Sequence, residues 1–268
     1  MVQAYSVAAD IDVLSMYFPI PGFNNLPINA FVLKAQEPIL VDTGGFLEGS
    51  GADSTASFMT ALRSVIEPAD LKWIWLTHAD MDHVGCVHQI LEEAPQVKVA
   101  TTFLTMGRMS VYRPLPIDRV YLLNPGQSLD LGDRTLTSVK PPTFDAADTA
   151  GAYDSKSRAF FSADCFGALL LGPAQTAADV PPEELEQGHL LWSTIDAPWL
   201  HSVDRTIFAA SLDKVRQMDP ELILSSHLPP ARGMTEQLLS TLAAVPGAKP
   251  FVGPDQEALQ QMLTAAPA

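Results

Sequence analysis

One run constrains this chain more than any other: His78-Ala79-Asp80-Met81-Asp82-His83, directly behind the apolar stretch Lys72-Trp73-Ile74-Trp75-Leu76. The apolar stretch has the β-branched and aromatic make-up of a strand. Where a strand ends, side chains stop alternating between two faces, so a short loop can turn several of them toward one point. Two imidazoles and two carboxylates delivered that way suit Zn, Fe or Mn. The same residues could instead form a solvated acidic loop, with Asp82 capping a helix that starts near His83.

The surroundings of the run predict a mixed fold. Residues 13–18, 28–33 and 38–41 read as strands, with turn punctuation at Pro21-Gly22 and at Asp42-Thr43-Gly44-Gly45. Residues 54–65 have helical spacing, with Phe58, Leu62 and Ile66 on one face, and residues 83–94 read as one helix with Val84, Val87, Ile90 and Leu91 apolar. Further strands are expected at residues 97–100, 120–123, 135–139, 159–162 and 221–224. Helices are expected at 205–218, 234–242 and 255–263. Residues 180–201 carry Leu190-Leu191-Trp192 and Trp199-Leu200 and read as either core or lid. This mixture predicts an α+β fold, an αββα sandwich of two packed sheets with helices outside. The expected organisation is a single domain over residues 1–268, with a helical tail from about residue 246.

Charge narrows the partners. With 31 acidic against 16 basic residues the formal net charge is −15, which repels phosphate backbones and anionic lipid, so neither nucleic acid nor a membrane is expected. No apolar run reaches the length of a membrane span, and the N-terminus lacks the pattern of a signal peptide. Cys86 and Cys165 form no C-x-x-C pair, which fits a reducing compartment and predicts a cytoplasmic protein. Cys165 is expected to be a buried, inert thiol, and His189 and His201 either satisfy local hydrogen bonds or reach the substrate side.

The run resembles the metal loop of the metallo-β-lactamase superfamily, usually His-x-His-x-Asp-His-x-Gly, here His78-Ala79-Asp80-Met81-Asp82-His83-Val84-Gly85. Three more landmarks follow in order. Val41-Asp42-Thr43-Gly44 resembles the strand-end Asp that supports the loop from behind, Phe161-Ser162-Ala163-Asp164 the strand ending in the bridging Asp, and Ser225-Ser226-His227-Leu228-Pro229 the last His. The resemblance covers roughly residues 11–232. Two positions depart from it: the second His is Asp80, and the third His, within a Pro-Gly-His-Thr turn, is missing. Counting back from Gly151-Ala152-Tyr153-Asp154 puts Asp145 there, with Asp148 as the substitute if a loop insertion shifts the count. The resemblance thus implies one metal on His78, Asp80 and Asp145, a second on Asp82, His83 and His227, and Asp164 bridging them.

Two divalent ions of Zn or Fe, with Mn possible, imply a hydrolase in which a metal-bridging water attacks a small ester, lactone, thioester or phosphoester, with Asp82 also orienting the nucleophile. An acidic residue at the second loop position is also a mark of flavodiiron proteins and their flavin-free relatives. That similarity implies the alternative, a flavin-free di-iron protein that binds or reduces dioxygen with electrons from a partner. A second alternative is a metal-stabilised, non-catalytic binding protein. No flavin is expected, and a homo-oligomer is possible through the tail.

Overall fold

The computed structural model describes residues 1–20, 23–45 and 54–265, so the Pro21-Gly22 turn lies outside the described residues. Among the described residues one sheet has seven strands, ordered β1 (Gln3–Ala8), β2 (Ile11–Pro19), β3 (Asn25–Leu33), β4 (Ile39–Val41), β5 (Trp73–Trp75), β6 (Lys98–Thr101) and β7 (Val120–Leu122). The chain then supplies β8 (Ser128–Asp130), β9 (Thr135–Val139), β10 (Gly151–Asp154), β11 (Ala159–Phe161), β12 (Leu222–Leu224) and β13 (Ala231–Arg232), which form a second sheet in the order β13-β12-β11-β10-β9-β8. The helices are α1 (Ser54–Val65), α2 (Met81–Val84), α3 (Val87–Glu93), α4 (Phe103–Met109), α5 (Pro182–Asp196), α6 (Arg205–Met218), α7 (Thr235–Ala244) and α8 (Gln256–Ala265).

Side-chain alternation builds the layers. In β11 and β12, Phe161, Leu222 and Leu224 face the other sheet, while Phe160 and Ile223 face helices α5, α6 and α7. In β4 and β5, Ile39, Val41, Trp73 and Trp75 point between the sheets, and Leu40 and Ile74 point toward α1 and α3. Each of these strands is apolar on both faces because each is covered on both. The inter-sheet layer is closed by Phe31 of β3 meeting Phe161 edge to face at 5.6 Å. The αββα sandwich is therefore present, and no helix among the described residues is long and apolar enough to cross a membrane.

Pairing decides where chemistry can gather. Strands β4 and β5 are parallel, as are β11 and β12, so within each sheet their C-terminal ends fall on one side. Asp42, His78, Asp164 and His227 all follow those ends. The expected helix over 83–94 is broken: α2 starts earlier, at Met81, and α3 resumes at Val87. Asp80, not Asp82, stands at the N-terminal cap of α2, which places Asp82 and His83 inside its single turn. Residues 180–201, which read as core or lid, are largely helix α5. Strands β1, β8 and β13 and helix α4 were not legible in the sequence; all but β1 are short, and β1 and α4 are at best half-buried along most of their length.

Truncating the inter-sheet contact tests this layering. Phe31→Ala should cost about 3–5 kcal/mol, read as a lower guanidinium midpoint with an unchanged denaturant slope.

Candidate metal centre

The site is held from behind by one carboxylate. Asp42 leaves β4 with φ +59°, a left-handed turn that aims its side chain back under the next strand end. Its Oδ1 accepts the Thr77 N–H at 2.9 Å. Its Oδ2 accepts the Thr77 hydroxyl at 2.9 Å, meets His83 Nδ1 at 2.8 Å and accepts the Ser226 hydroxyl at 3.3 Å. The Thr43 N–H and hydroxyl both donate to the His83 carbonyl, at 2.7 and 2.9 Å. The two loops touch backbone to backbone at Gly85, where a Cβ would sit 2.5 Å from the Gly44 oxygen. Only glycine fits there.

These contacts orient three imidazoles. His83 donates Nδ1–H to Asp42, and His227 donates Nδ1–H to the Pro27 carbonyl at 2.8 Å. The Thr77 hydroxyl gives its proton to Asp42 and so accepts from His78 Nδ1 at 3.1 Å. In its neutral form each ring therefore keeps its proton on Nδ1 and turns an Nε2 lone pair inward, the arrangement a metal-binding histidine needs. Nε2 of His78, Nε2 of His83 and Oδ1 of Asp164 are buried without a hydrogen-bond partner among the described residues. Asp164 lies between the rings, with Oδ1 at 3.1 Å from His83 Nε2 and 3.2 Å from His227 Nε2, and Oδ2 at 3.3 Å from His78 Nε2. Asp82 Oδ2 lies 3.5 and 3.4 Å from the His83 and His227 Nε2 atoms.

Donor atoms within 4.8 Å of one another fall into four groups: His78, Asp80 and Asp145; Asp82, His83 and His227; His78, His83 and Asp164; and Asp145, Asp164 and Asp196. Donors about 2.0–2.2 Å from one shared ion lie within that spread. The seven sequence-predicted residues are thus brought together. Asp148 is not among them. Its Oδ2 accepts the Ala79 N–H at 3.0 Å and its Oδ1 pairs with Arg108 Nη1 at 2.6 Å. Asp145 is carried by a braced loop: the Lys140 ammonium donates to the carbonyls of Ala146, Ala147 and Thr149 and lies 3.7 Å from the Phe144 ring centre.

Charge in the cluster is one-sided. Burial disfavours the imidazolium of His83, but Asp82, Asp164 and Asp42 outweigh it and hold the ring well above its ordinary value. His227 is likewise raised to about 9, against its burial, chiefly by Asp164. Burial alone would raise Asp164, yet the three histidines hold it well below the usual carboxylate range. Burial, followed by repulsion from Asp164 and Asp145, pushes Asp196 up to about 8.

Sequence reasoning missed three side chains here. Arg108 of α4 joins Asp80 at 2.7 Å and Asp148 at 2.6 Å. Trp192 donates its indole N–H to the Asp164 carbonyl at 3.2 Å and packs tilted against His227, with ring centres 4.8 Å apart. Asp196 follows Trp192 by one helical turn, and Pro182-Glu183-Glu184 was a readable helix start. His189, by contrast, is sealed in the core near Phe166, where burial lowers its pKa to about 3 and keeps it neutral. Cys165 is buried as expected, its thiol pushed up to about 12 by burial.

A family model described as ODP family beta lactamase matches residues 27–227. The anaerobic nitric oxide reductase flavorubredoxin of Salmonella typhi is 25% identical over 140 residues, 52% of this chain and 28% of the relative. The rubredoxin oxygen:oxidoreductase of Desulfovibrio gigas superposes with a TM-score of 0.75 at 19% identity, over 91% of this chain and 61% of that one. The flavodiiron protein of Giardia intestinalis gives a TM-score of 0.76 at 14% identity, over 92% and 60%. At these identities the two structures establish the fold. The chain spans about half or less of the length of the curated relatives it matches. By name these include a nitric oxide reductase, an oxygen:oxidoreductase and a flavodiiron protein, and none of the three is a hydrolase, which overturns the expected hydrolase. A physical reason is available in the donor types: anionic oxygens from Asp80 and Asp145 on a metal would lower the Lewis acidity that water activation requires and would favour redox metals.

Two outcomes are expected. Asp42→Ala leaves Thr77 and His83 without their buried acceptor and should cost about 3 kcal/mol while lowering metal content, read by chemical denaturation and elemental analysis. In the metal-free protein, the raised His227 contributes stability that is fully present below about pH 6.5 and lost as the pH rises through about 9. The melting temperature of metal-free protein should therefore fall between those values, and metal uptake near pH 7 should release protons to a pH indicator.

Proposed function

This chain belongs to the ODP family of beta lactamases, and from that premise we propose that it is a di-iron protein that binds or reduces dioxygen. The observation that carries the reading is the division of Asp164. One of its oxygens faces His78 and the other faces His83 and His227, as a carboxylate bridging two ions requires. His78, Asp80 and Asp145 would hold one ion and Asp82, His83 and His227 the other. The orphaned Nε2 atoms of His78 and His83 support the fit, because buried imidazole nitrogens aimed at a shared point need an electrophile to offset their desolvation. When bound, a ferrous pair would supply the electrons that a dioxygen-reducing reaction consumes.

The protein's own residues set the character of that pair. Asp80, Asp82, Asp145 and Asp164 place four carboxylates against three neutral imidazoles. Hard anionic oxygen stabilises the higher oxidation state and favours Fe or Mn over Zn. Asp42 and the Pro27 carbonyl fix the rings behind the site, so the donors need not reorganise when the oxidation state changes. Trp192 covers His227 with an apolar face and restricts water on that side.

Elemental analysis of protein purified without added metal should find about two Fe per chain, and the chemically reduced protein should consume dioxygen with a change in its near-ultraviolet absorption. Asp164→Ala should remove two-metal loading. Two zinc ions, no absorption band and no oxygen uptake by reduced protein would overturn the reading.

A further inference from the structure

Asp196 ends α5 in a position that folding alone disfavours. It is half-buried, it sits at the negative end of a fifteen-residue helix, and its carboxylate lies within 4.8 Å of those of Asp145 and Asp164. Among the described residues no cation and no hydrogen-bond donor meets it. Three carboxylates converge there, and of the three only Asp164 faces the imidazoles, whereas Asp80 has Arg108 at 2.7 Å.

The approach is built, not incidental. Trp192 and Asp196 are four residues apart and share a helix face, and Trp192 is fixed on that face by its bond to the Asp164 carbonyl and its contact with His227. Gly167 admits the indole, since a Cβ there would lie 2.4 Å from Trp192 Nε1. Just beyond the helix, the Trp199 indole N–H donates to the Phe144 carbonyl at 2.8 Å, and the two rings pack at 5.0 Å. The segment after α5 is thereby tied to the residue before Asp145. A second observation meets the first at Asp145: among the described residues His78 Nε2 is fully buried without a hydrogen-bond partner, and it lies within 4.8 Å of a carboxylate oxygen of Asp145, the acid that Asp196 also approaches.

We propose that Asp196 is a further metal ligand, donating a carboxylate oxygen to the ion held by His78, Asp80 and Asp145. The inference rests on the two-metal reading above and deepens it. The two ions would then be unlike. The one near Asp145 would have a single imidazole among carboxylates, and the one near His227 would have two imidazoles with Asp82 and the bridging Asp164. The carboxylate-rich ion would be the harder of the two and would prefer the higher oxidation state.

The test uses the full chain and Asp196→Asn, which keeps the shape but loses the anionic donor, with Asp196→Glu as a variant that retains it. Metal content is read by elemental analysis, and Co2+ affinity by chelator competition. The visible band intensity of the Co2+-loaded protein reports coordination number. In Asp196→Asn one of two ions should bind at least ~10-fold more weakly while the other is unchanged, and the Co2+ band should change for that ion alone. Asp196→Glu should recover part of the loss. Because asparagine adds no charge to the crowded carboxylates and keeps the side-chain shape, metal-free Asp196→Asn should melt no lower than the parent, which separates ligand loss from misfolding. Two ions bound with parental affinity and an unchanged Co2+ spectrum in Asp196→Asn would overturn the proposal and leave the two-metal reading standing. Fewer than two ions in the parent protein would overturn both.

Discussion

The Asp42 carboxylate joins the parts of this molecule that chemistry needs to keep together. It accepts from the end of β5 through Thr77, from the metal loop through His83, and from the end of β12 through Ser226. Those groups come from two different sheets. The donors around this buried carboxylate offset its desolvation, and its loss would leave several polar groups stranded. Because Asp42 also decides which nitrogen of His83 carries the proton, one side chain fixes both the spacing of the strand ends and the chemistry of a donor.

Around that anchor the site gathers negative charge and then distributes it. Arg108 takes one oxygen from Asp80 and one from Asp148, joining the metal loop to the loop that carries Asp145. Lys140 uses its ammonium on backbone carbonyls, so it shapes the Asp145 loop without neutralising Asp145 itself. The acids in the middle are left to the three imidazoles and to whatever cations the site holds. Such a site suits an electron-accepting or electron-donating metal pair better than a strong Lewis acid. The hydrolytic expectation gave it too little weight: the retained positions signalled two metals, but the replaced ones signalled their character.

How much could be read in advance differs by element. The strands β4, β11 and β12 were legible because each is a short apolar run buried on both faces and followed by Asp or Ser, and β2, β3 and β5 were legible from their apolar and aromatic runs. The edge strands β1, β8 and β13 and helix α4 were not, since they are short or half-exposed and their composition resembles loop. The break between α2 and α3 was hidden for a different reason. Gly85 sits against the Gly44 oxygen, a contact with a residue some forty positions away that no local pattern records. Asp145 was reached only by counting along a resemblance, with Asp148 kept as its substitute, and the structure engages both Asp148 oxygens elsewhere, with Arg108 and the Ala79 N–H.

By itself the sequence determined the αββα layering and the placement of donors behind strand ends, because hydrophobic alternation and donor spacing are written along the chain. It also determined the kind of atom available: imidazole nitrogen and carboxylate oxygen, with Asp in place of two expected His. What only the tertiary structure decided was which acids share a point in space. Asp145, Asp164 and Asp196 lie far apart in sequence and meet because helix α5 returns across the second sheet and Trp192 lodges over Gly167. Convergence of that sort depends on packing between distant segments, which fixes distances that no single segment carries.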